Sequence, residues 1–160
     1  MSAKNLAKMV HINERRRNGE PYYRHCERVA NRVEHSFFFE HPFETYTHEQ
    51  ENMISAAWLH DTVENAENPD EIIFFIEEYF PHSVLSLVLT LTKRELIAYE
   101  IYIKRICTEP KALVIKFADM IDNTTDNIPE KQKTKYRDAC IYIMSEGIEV
   151  PKILKDRLNL

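Results

Sequence analysis

Between its prolines the chain repeats one pattern, apolar residues three and four positions apart with polar residues between them. That is the spacing of a helix face rather than the alternation of a strand. Met53, Ile54, Ala57 and Trp58 follow Thr47-His48-Glu49-Gln50, which has the form of a capping box and predicts a helix start. Thr92-Lys93-Arg94-Glu95 has the same form ahead of Leu96, Ile97, Ile101, Ile103 and Ile106, and predicts another. Pro110 suits the first turn of a helix carrying Leu113, Val114, Phe117, Ala118 and Ile121. Pro21 likewise predicts the start of a helix whose first turns contain His25. The whole pattern predicts an all-α fold of about eight helices without a sheet. Residues 40–46 form the longest predicted irregular connection, and residues 129–160 are expected to pack as one or two further helices.

Composition supports this picture. The chain has 160 residues, which suits a single domain over 1–160 with a real core. It has only two glycines, too few for a fold built on tight hairpins. A net charge of −5 argues against a broad face for a nucleic-acid polymer. Any phosphorylated ligand would need local positive charge, from a metal or an arginine cluster. The start of the chain carries no apolar run resembling a signal peptide, and no apolar stretch is long enough to span a membrane. Three cysteines (Cys26, Cys107, Cys140) without CxxC spacing fit reduced thiols in a cytoplasmic protein.

Three stretches carry chemistry. In the first, residues 56–65, His60 and Asp61 interrupt an apolar face. Adjacent helical residues diverge by about 100°, so a metal between them is within reach of both. Glu64 and Asn65 follow each of them by one turn and would share the pocket wall. In the second, residues 112–123, Asp119 stands among apolar neighbours and requires a partner, either a metal or a buried lysine or arginine. Asn123 lies one turn further on, suited to orienting a ligand or water. In the third, Arg15-Arg16-Arg17 concentrates positive charge ahead of His25, with a fork geometry that suits phosphate. Taken singly each has a plainer reading: a structural His-Asp dipeptide, a paired core carboxylate, a solvated helix end. His11, His35, His41, His48 and His82 are expected at the surface or in loops, and Cys26 as a half-buried core thiol. Two imidazoles and two carboxylates suit Mn²⁺, Fe²⁺ or another octahedral-leaning divalent ion better than a thiolate-bound zinc.

Taken together and in order, these stretches resemble the HD superfamily, whose signature is His, then His-Asp, then Asp across several helices. More narrowly they look like the hydrolase domain of RelA/SpoT proteins and the small stand-alone alarmone hydrolases. Arg16-Arg17-Asn18-Gly19-Glu20-Pro21-Tyr22 leading to His25 matches their basic pair and GEPY-like turn. Ala56 to Asn65 matches AA-x-LHD-x-(V/I)-ED except at its last position, and Lys116-Phe117-Ala118-Asp119 with Asn123 matches KLAD-xxxN. Leu91-Thr92-Lys93 and Tyr99 to Ile103 resemble small bacterial relatives. The resemblance covers roughly residues 10–127; residues 128–160 carry no signature.

The resemblance implies an HD-type helical bundle in which His25, His60, Asp61 and Asp119 hold one Mn²⁺. It implies that Glu64, with Asn65 beside it, positions or deprotonates the attacking water. Arg16, Arg17, Lys116 and Asn123 would serve the nucleotide, and the reaction would remove 3′-pyrophosphate from guanosine tetra- or pentaphosphate. Only His82 lies between Asp61 and Asp119, which favours one metal over two. Asn65 stands where the family has aspartate and cannot take a proton, Met120 replaces a usual basic residue, and Thr125 stands where arginine is frequent. These departures leave two alternatives: an HD phosphohydrolase for a different nucleotide or phosphorylated metabolite, and a nucleotide-binding HD module with weakened turnover.

Overall fold

The computed structural model describes residues 1–40, 46–126 and 128–160. Among them lie ten helices: α1 (Ala3–Val10), α2 (Tyr23–Glu40), α3 (His48–Leu59), α4 (Thr62–Asn65), α5 (Pro69–Tyr79), α6 (His82–Leu91), α7 (Tyr99–Cys107), α8 (Pro110–Asn123), α9 (Glu130–Ser145) and α10 (Lys152–Leu158). The pattern predicts about eight. Two of the pieces are short, α4 with four residues and α10 with seven. No described residue belongs to a strand, and Arg15 and Pro21 form one isolated antiparallel bridge. Of the predicted connection over 40–46, residues 41–45 lie outside the described residues. No described helix is long and apolar enough to cross a membrane.

The core forms where α2 packs against α3 and α8. Val29, Ala30 and Val33 of α2 meet Ala56, Ala57 and Leu59 of α3 and Ala112, Ile115 and Ala118 of α8, all buried. The alanines let the three backbones approach closely. α1 covers α3 with Leu6 and Ala7, and α6 packs on α3 from another side through Val84 and Val88. α9 and α10 close the bundle beyond α7 and α8 with Tyr136, Ile143 and Leu154.

Local signals explain most helix ends. The Thr47 side chain accepts from Gln50 N while Gln50 reaches back to Thr47 N, the predicted capping box. Pro110 occupies the first turn of α8 as predicted. α2 begins at Tyr23, just past Pro21. The second predicted capping box is not one. Thr92 closes α6, its hydroxyl donating to Val88 O at 2.8 Å, and Lys93 N donates to Glu64 Oε2. α7 starts only at Tyr99, and Leu96 is 97% exposed. The reason lies in α7 itself. Arg105 donates to Thr90 O and Thr92 O, and Tyr102 Oη donates to Leu91 O. These donors satisfy carbonyls that a helix end leaves unpaired, and so fix the end of α6 at this point.

Two further expectations are corrected. His11 is fully buried at the end of α1 rather than at the surface, because its Nδ1 is paired to Glu14 Oε2 at 2.7 Å and its ring packs on Tyr22. Cys26 is fully buried rather than half-buried, since it lies on the face of α2 that enters the core. In urea denaturation, Thr47→Ala should cost about 1 kcal/mol, the usual worth of a cap. Arg105→Ala should cost about 2 kcal/mol by stripping charged donors from two carbonyls. A neutral Arg105→Ala would show that α7 does not hold the end of α6.

Candidate metal centre

The arginine run does not extend a helix. It forms a tight turn in which Arg16 N donates to Glu20 O, Gly19 N to Arg16 O and Tyr22 N to Glu14 O. Gly19 takes φ +85°, a left-handed conformation that glycine adopts without strain. In this extended stretch side chains alternate, so Arg15 and Arg17 face solvent while Arg16 points inward. The turn also delivers Tyr22 and then His25, on the first turns of α2, into the interior.

His60 and Asp61 do not sit in a continuous helix. α3 ends at Leu59, and Asp61, at φ −105° ψ −2°, breaks the run before α4. Thr62 Oγ1 donates to Leu59 O across the break. The change of direction turns both side chains to one point, with His60 Nε2 and Asp61 Oδ2 3.1 Å apart. His25 Nε2 approaches from α2, 3.6 Å from Asp61 Oδ2 and 3.3 Å from Asp119 Oδ1 on α8. Asp119 Oδ1 stands 3.9 Å from His60 Nε2. The four residues read from the sequence as a metal set are thus brought together. His25, His60 and Asp61 each offer a donor atom within 4.8 Å of the other two.

Their surroundings fix which atoms face inward. His25 Nδ1 lies 2.7 Å from Asp122 Oδ2, and His60 Nδ1 lies 2.8 Å from Ala57 O, a group that can only accept. Each Nδ1 is therefore a proton donor, which leaves Nε2 as the atom that would face a cation; against the effect of burial, the neighbouring carboxylates raise the pKa of both imidazoles. Neither buried Nε2 has a hydrogen-bond partner, although carboxylate oxygens stand nearby. A buried acceptor without a donor is costly. Two lone pairs converging with two carboxylates are what a divalent cation requires, so the residues fit a metal.

Charge bookkeeping points the same way. Asp119 Oδ2 accepts from Lys116 Nζ at 2.7 Å and Oδ1 from Asn123 Nδ2 at 2.5 Å. Asp122 accepts from Arg16 and from Arg28, and Arg28 also forks onto Glu20. Asp61 accepts from Tyr22 Oη at 2.7 Å, but among the described residues no lysine or arginine neutralises it. Burial alone would raise the Asp119 and Asp122 pKa values. The Lys116 ammonium for Asp119, and His25 with Arg28 for Asp122, hold them well below the usual carboxylate range. Desolvation, with the charges of Asp61 and Asp119, pushes the Cys26 thiol well up.

The remaining predicted site residues divide. Glu64 Oε2 accepts from Lys93 N at the start of the α6–α7 connection. Partial shielding of its carboxylate raises its pKa, against the Lys93 N–H, with the Asp61 charge adding to the rise. Asn65 Nδ2 donates to Glu14 Oε2 at 3.3 Å, the same oxygen that His11 holds. Asn123 Oδ1 accepts from Arg16 Nη2. Arg15, Arg16, Arg17 and Asn18 line a cleft of about 450 Å³ with Asn123 and Gln132, beside the metal cluster.

Sequence reasoning missed Asp122, Tyr22, Arg28 and the Glu14–His11 pair as parts of the site. Asp122 follows Asp119 by three residues and Arg28 follows His25 by three. That spacing on one helix face was the available signal. Asp122→Asn should weaken divalent-metal binding about 10–100-fold in calorimetric titration, the usual cost of losing a group that orients a ligand. Unchanged affinity would remove Asp122 from the site. Asn65→Asp should lower stability by about 1 kcal/mol or more, because it sets a carboxylate against Glu14 in place of a donor. A stability unchanged in thermal melting would show that the Asn65–Glu14 contact carries no weight.

No protein-family model matches the sequence, and no curated protein matches it. Solved structures do. One, described as a metazoan ortholog of SpoT that hydrolyzes ppGpp and plays a role in starvation responses, superposes with a TM-score of 0.69. The match covers 98% of this chain and 89% of that one at 20% sequence identity. The all-helical fold predicted from the sequence is therefore the fold of that hydrolase, as the motif resemblance implies.

Proposed function

We propose that the protein is a metal-dependent phosphohydrolase that removes the 3′-pyrophosphate from guanosine tetra- or pentaphosphate. His25, His60, Asp61 and Asp119 would hold one divalent ion, Mn²⁺ by the mixed nitrogen and oxygen donor set. The observation that carries this reading is the pair of buried Nε2 atoms, of His25 and His60, that face two carboxylates with no donor between them. The likeness in fold to a structure described as a ppGpp hydrolase supports the substrate.

Bound at these residues, the ion supplies Lewis acidity toward water and phosphate. The chain's own groups do the rest. Glu64, with its pKa raised, is the base that takes a proton from water while the water oxygen bonds to the phosphorus. The bond from that phosphorus to the 3′ oxygen breaks, and the proton passes to the 3′ oxygen, giving the nucleoside 5′-di- or triphosphate and free pyrophosphate. Asn65, held by Glu14, orients water rather than accepting its proton. Arg16 is committed to Asp122 and Asn123, so it fixes the wall of the cleft. Arg17, exposed at the rim with Arg15 and Asn18, would meet the nucleotide's 5′ phosphates.

The site of action is then a small-molecule nucleotide in a cytoplasmic setting. The test is hydrolysis of guanosine tetraphosphate by the purified protein with Mn²⁺, products being followed by chromatography beside Asp61→Ala. Guanosine diphosphate and pyrophosphate should form, and Asp61→Ala should lower the rate about a thousandfold or more, the several kcal/mol that Lewis-acid assistance is worth. Equal rates would overturn the metal assignment. Absence of turnover with Mn²⁺ bound would transfer the site to another phosphorylated substrate, or to binding without turnover.

A further inference from the structure

Between the arginine turn and the metal cluster stands one guanidinium that holds both. Arg28, on α2, donates from Nε to Asp122 Oδ1 at 2.6 Å and from Nη2 to Asp122 Oδ2 at 3.2 Å. Its Nη1 and Nη2 also reach Glu20, Oε1 at 2.6 Å and Oε2 at 3.0 Å. A planar guanidinium can fork onto two carboxylates at once, which a lysine ammonium does not reproduce. Glu20 belongs to the turn through its backbone, its carbonyl accepting from Arg16 N. Arg16 closes the circuit on the inner side. Its Nη1 donates to Asp122 Oδ2 at 2.6 Å and its Nη2 to Asn123 Oδ1 at 3.0 Å, while Asn123 Nδ2 donates to Asp119 Oδ1. The turn is thus tied to His25 by way of Asp122 and to Asp119 by way of Asn123.

The charges in this circuit balance, Arg16 and Arg28 against Glu20 and Asp122. Asp122 holds His25 Nδ1, and an imidazole so held is both oriented and made a better ligand at its other nitrogen. Without Glu20, Arg28 would draw more of the Asp122 charge away from His25 and leave uncompensated positive charge beside the cluster. The plainer role for the pair is a staple that fastens the turn to α2, and a surface ion pair of that kind is worth little. The far end of the guanidinium argues for more, because it lands on a carboxylate only 2% exposed that also holds His25. Glu27, beside Arg28 on α2, shows the contrast. Arg24 and Lys4 hold it, and among the described residues neither is bonded to Asp122.

We propose that Glu20 and Arg28 are positioning residues of the metal centre, acting on His25 through Asp122, so that metal binding and ordering of the turn over residues 15–22 are one coupled event. This rests on the metal assignment made above and not on the identity of the substrate. Coupling between two sites is reciprocal. A cation that fixes His25 fixes the turn, and a turn held in place raises affinity for the cation. Arg15 and Arg17, which the turn carries, are then fully ordered for an anion only once the metal is bound.

Calorimetric titration with Mn²⁺ tests this without turnover. Glu20→Gln should weaken Mn²⁺ binding about three- to tenfold and Arg28→Gln about tenfold, less than the loss of Asp122 itself, because each acts one step further from the ligand. Glu27→Gln, which removes an equal charge beside Arg28, should bind as wild type does. Hydrogen exchange over residues 15–22, followed by mass spectrometry, should slow on adding Mn²⁺ to wild type and slow less in Arg28→Gln. Unchanged Mn²⁺ affinity in Glu20→Gln or Arg28→Gln, an equal loss in Glu27→Gln, or exchange in the turn that ignores Mn²⁺ would overturn the coupling and leave the metal centre standing. Failure of wild type to bind Mn²⁺ would overturn the metal centre and the coupling together.

Discussion

Everything near the centre of this molecule follows from one constraint, that ionised side chains in a helical core must each find a partner of opposite character. Asp119 and Asp122 are almost fully buried on one face of α8, and His25 and His60 are buried against them. Unpaired, any of these would cost several kcal/mol. Asp122 meets the cost with His25 Nδ1, Arg16 and Arg28, and Asp119 with Lys116 and Asn123. What remains unmatched is the inner face, two Nε2 lone pairs and the Asp61 carboxylate. That remainder is what a bound divalent cation would complete.

The constraint also shapes the backbone around it. To reach Asp122, Arg16 must point inward from a stretch whose neighbours face water, and the tight turn through Gly19 provides this. To bring His60 and Asp61 to one point, the chain must leave the helix between α3 and α4. Both departures from regular structure are local, and both are stabilised by hydrogen bonds rather than left open. Asn65 belongs to the same arrangement. It donates to Glu14, a contact that a carboxylate at that position would turn into repulsion. The exchange of acid for amide at position 65 therefore comes with a carboxylate across from it, which links the short α4 to the segment after α1.

In a protein of net charge −5, a phosphate would be met only where positive charge is concentrated. Here Arg15 and Arg17 are exposed at the turn, in a cleft that Asn123 also lines. The basic residues absent at positions 120 and 125 are no loss to a pocket, since Met120 is fully buried and the Thr125 hydroxyl donates to Ile121 O.

The sequence by itself determined the helices and the membership of the central cluster. Helical periodicity is a local property, and so are a capping box at Thr47 and a proline at 110. His60-Asp61 and Asp119 were legible because each interrupts an apolar face, where a charge needs a reason, whereas His25 was legible only through the order of the motifs. What the tertiary structure alone decided is how each polar group is satisfied. Thr92 has the local form of a helix start, yet it ends α6 because Arg105 and Tyr102, distant by a helix, supply the donors there. His11 looks like any loop histidine, yet Glu14 and the Tyr22 ring make its burial tolerable. The partners of Asp122 and Asn65 come from segments far from them in the chain. A residue's type shows that it needs a partner, and only the packing of helices far apart in sequence determines which one it meets.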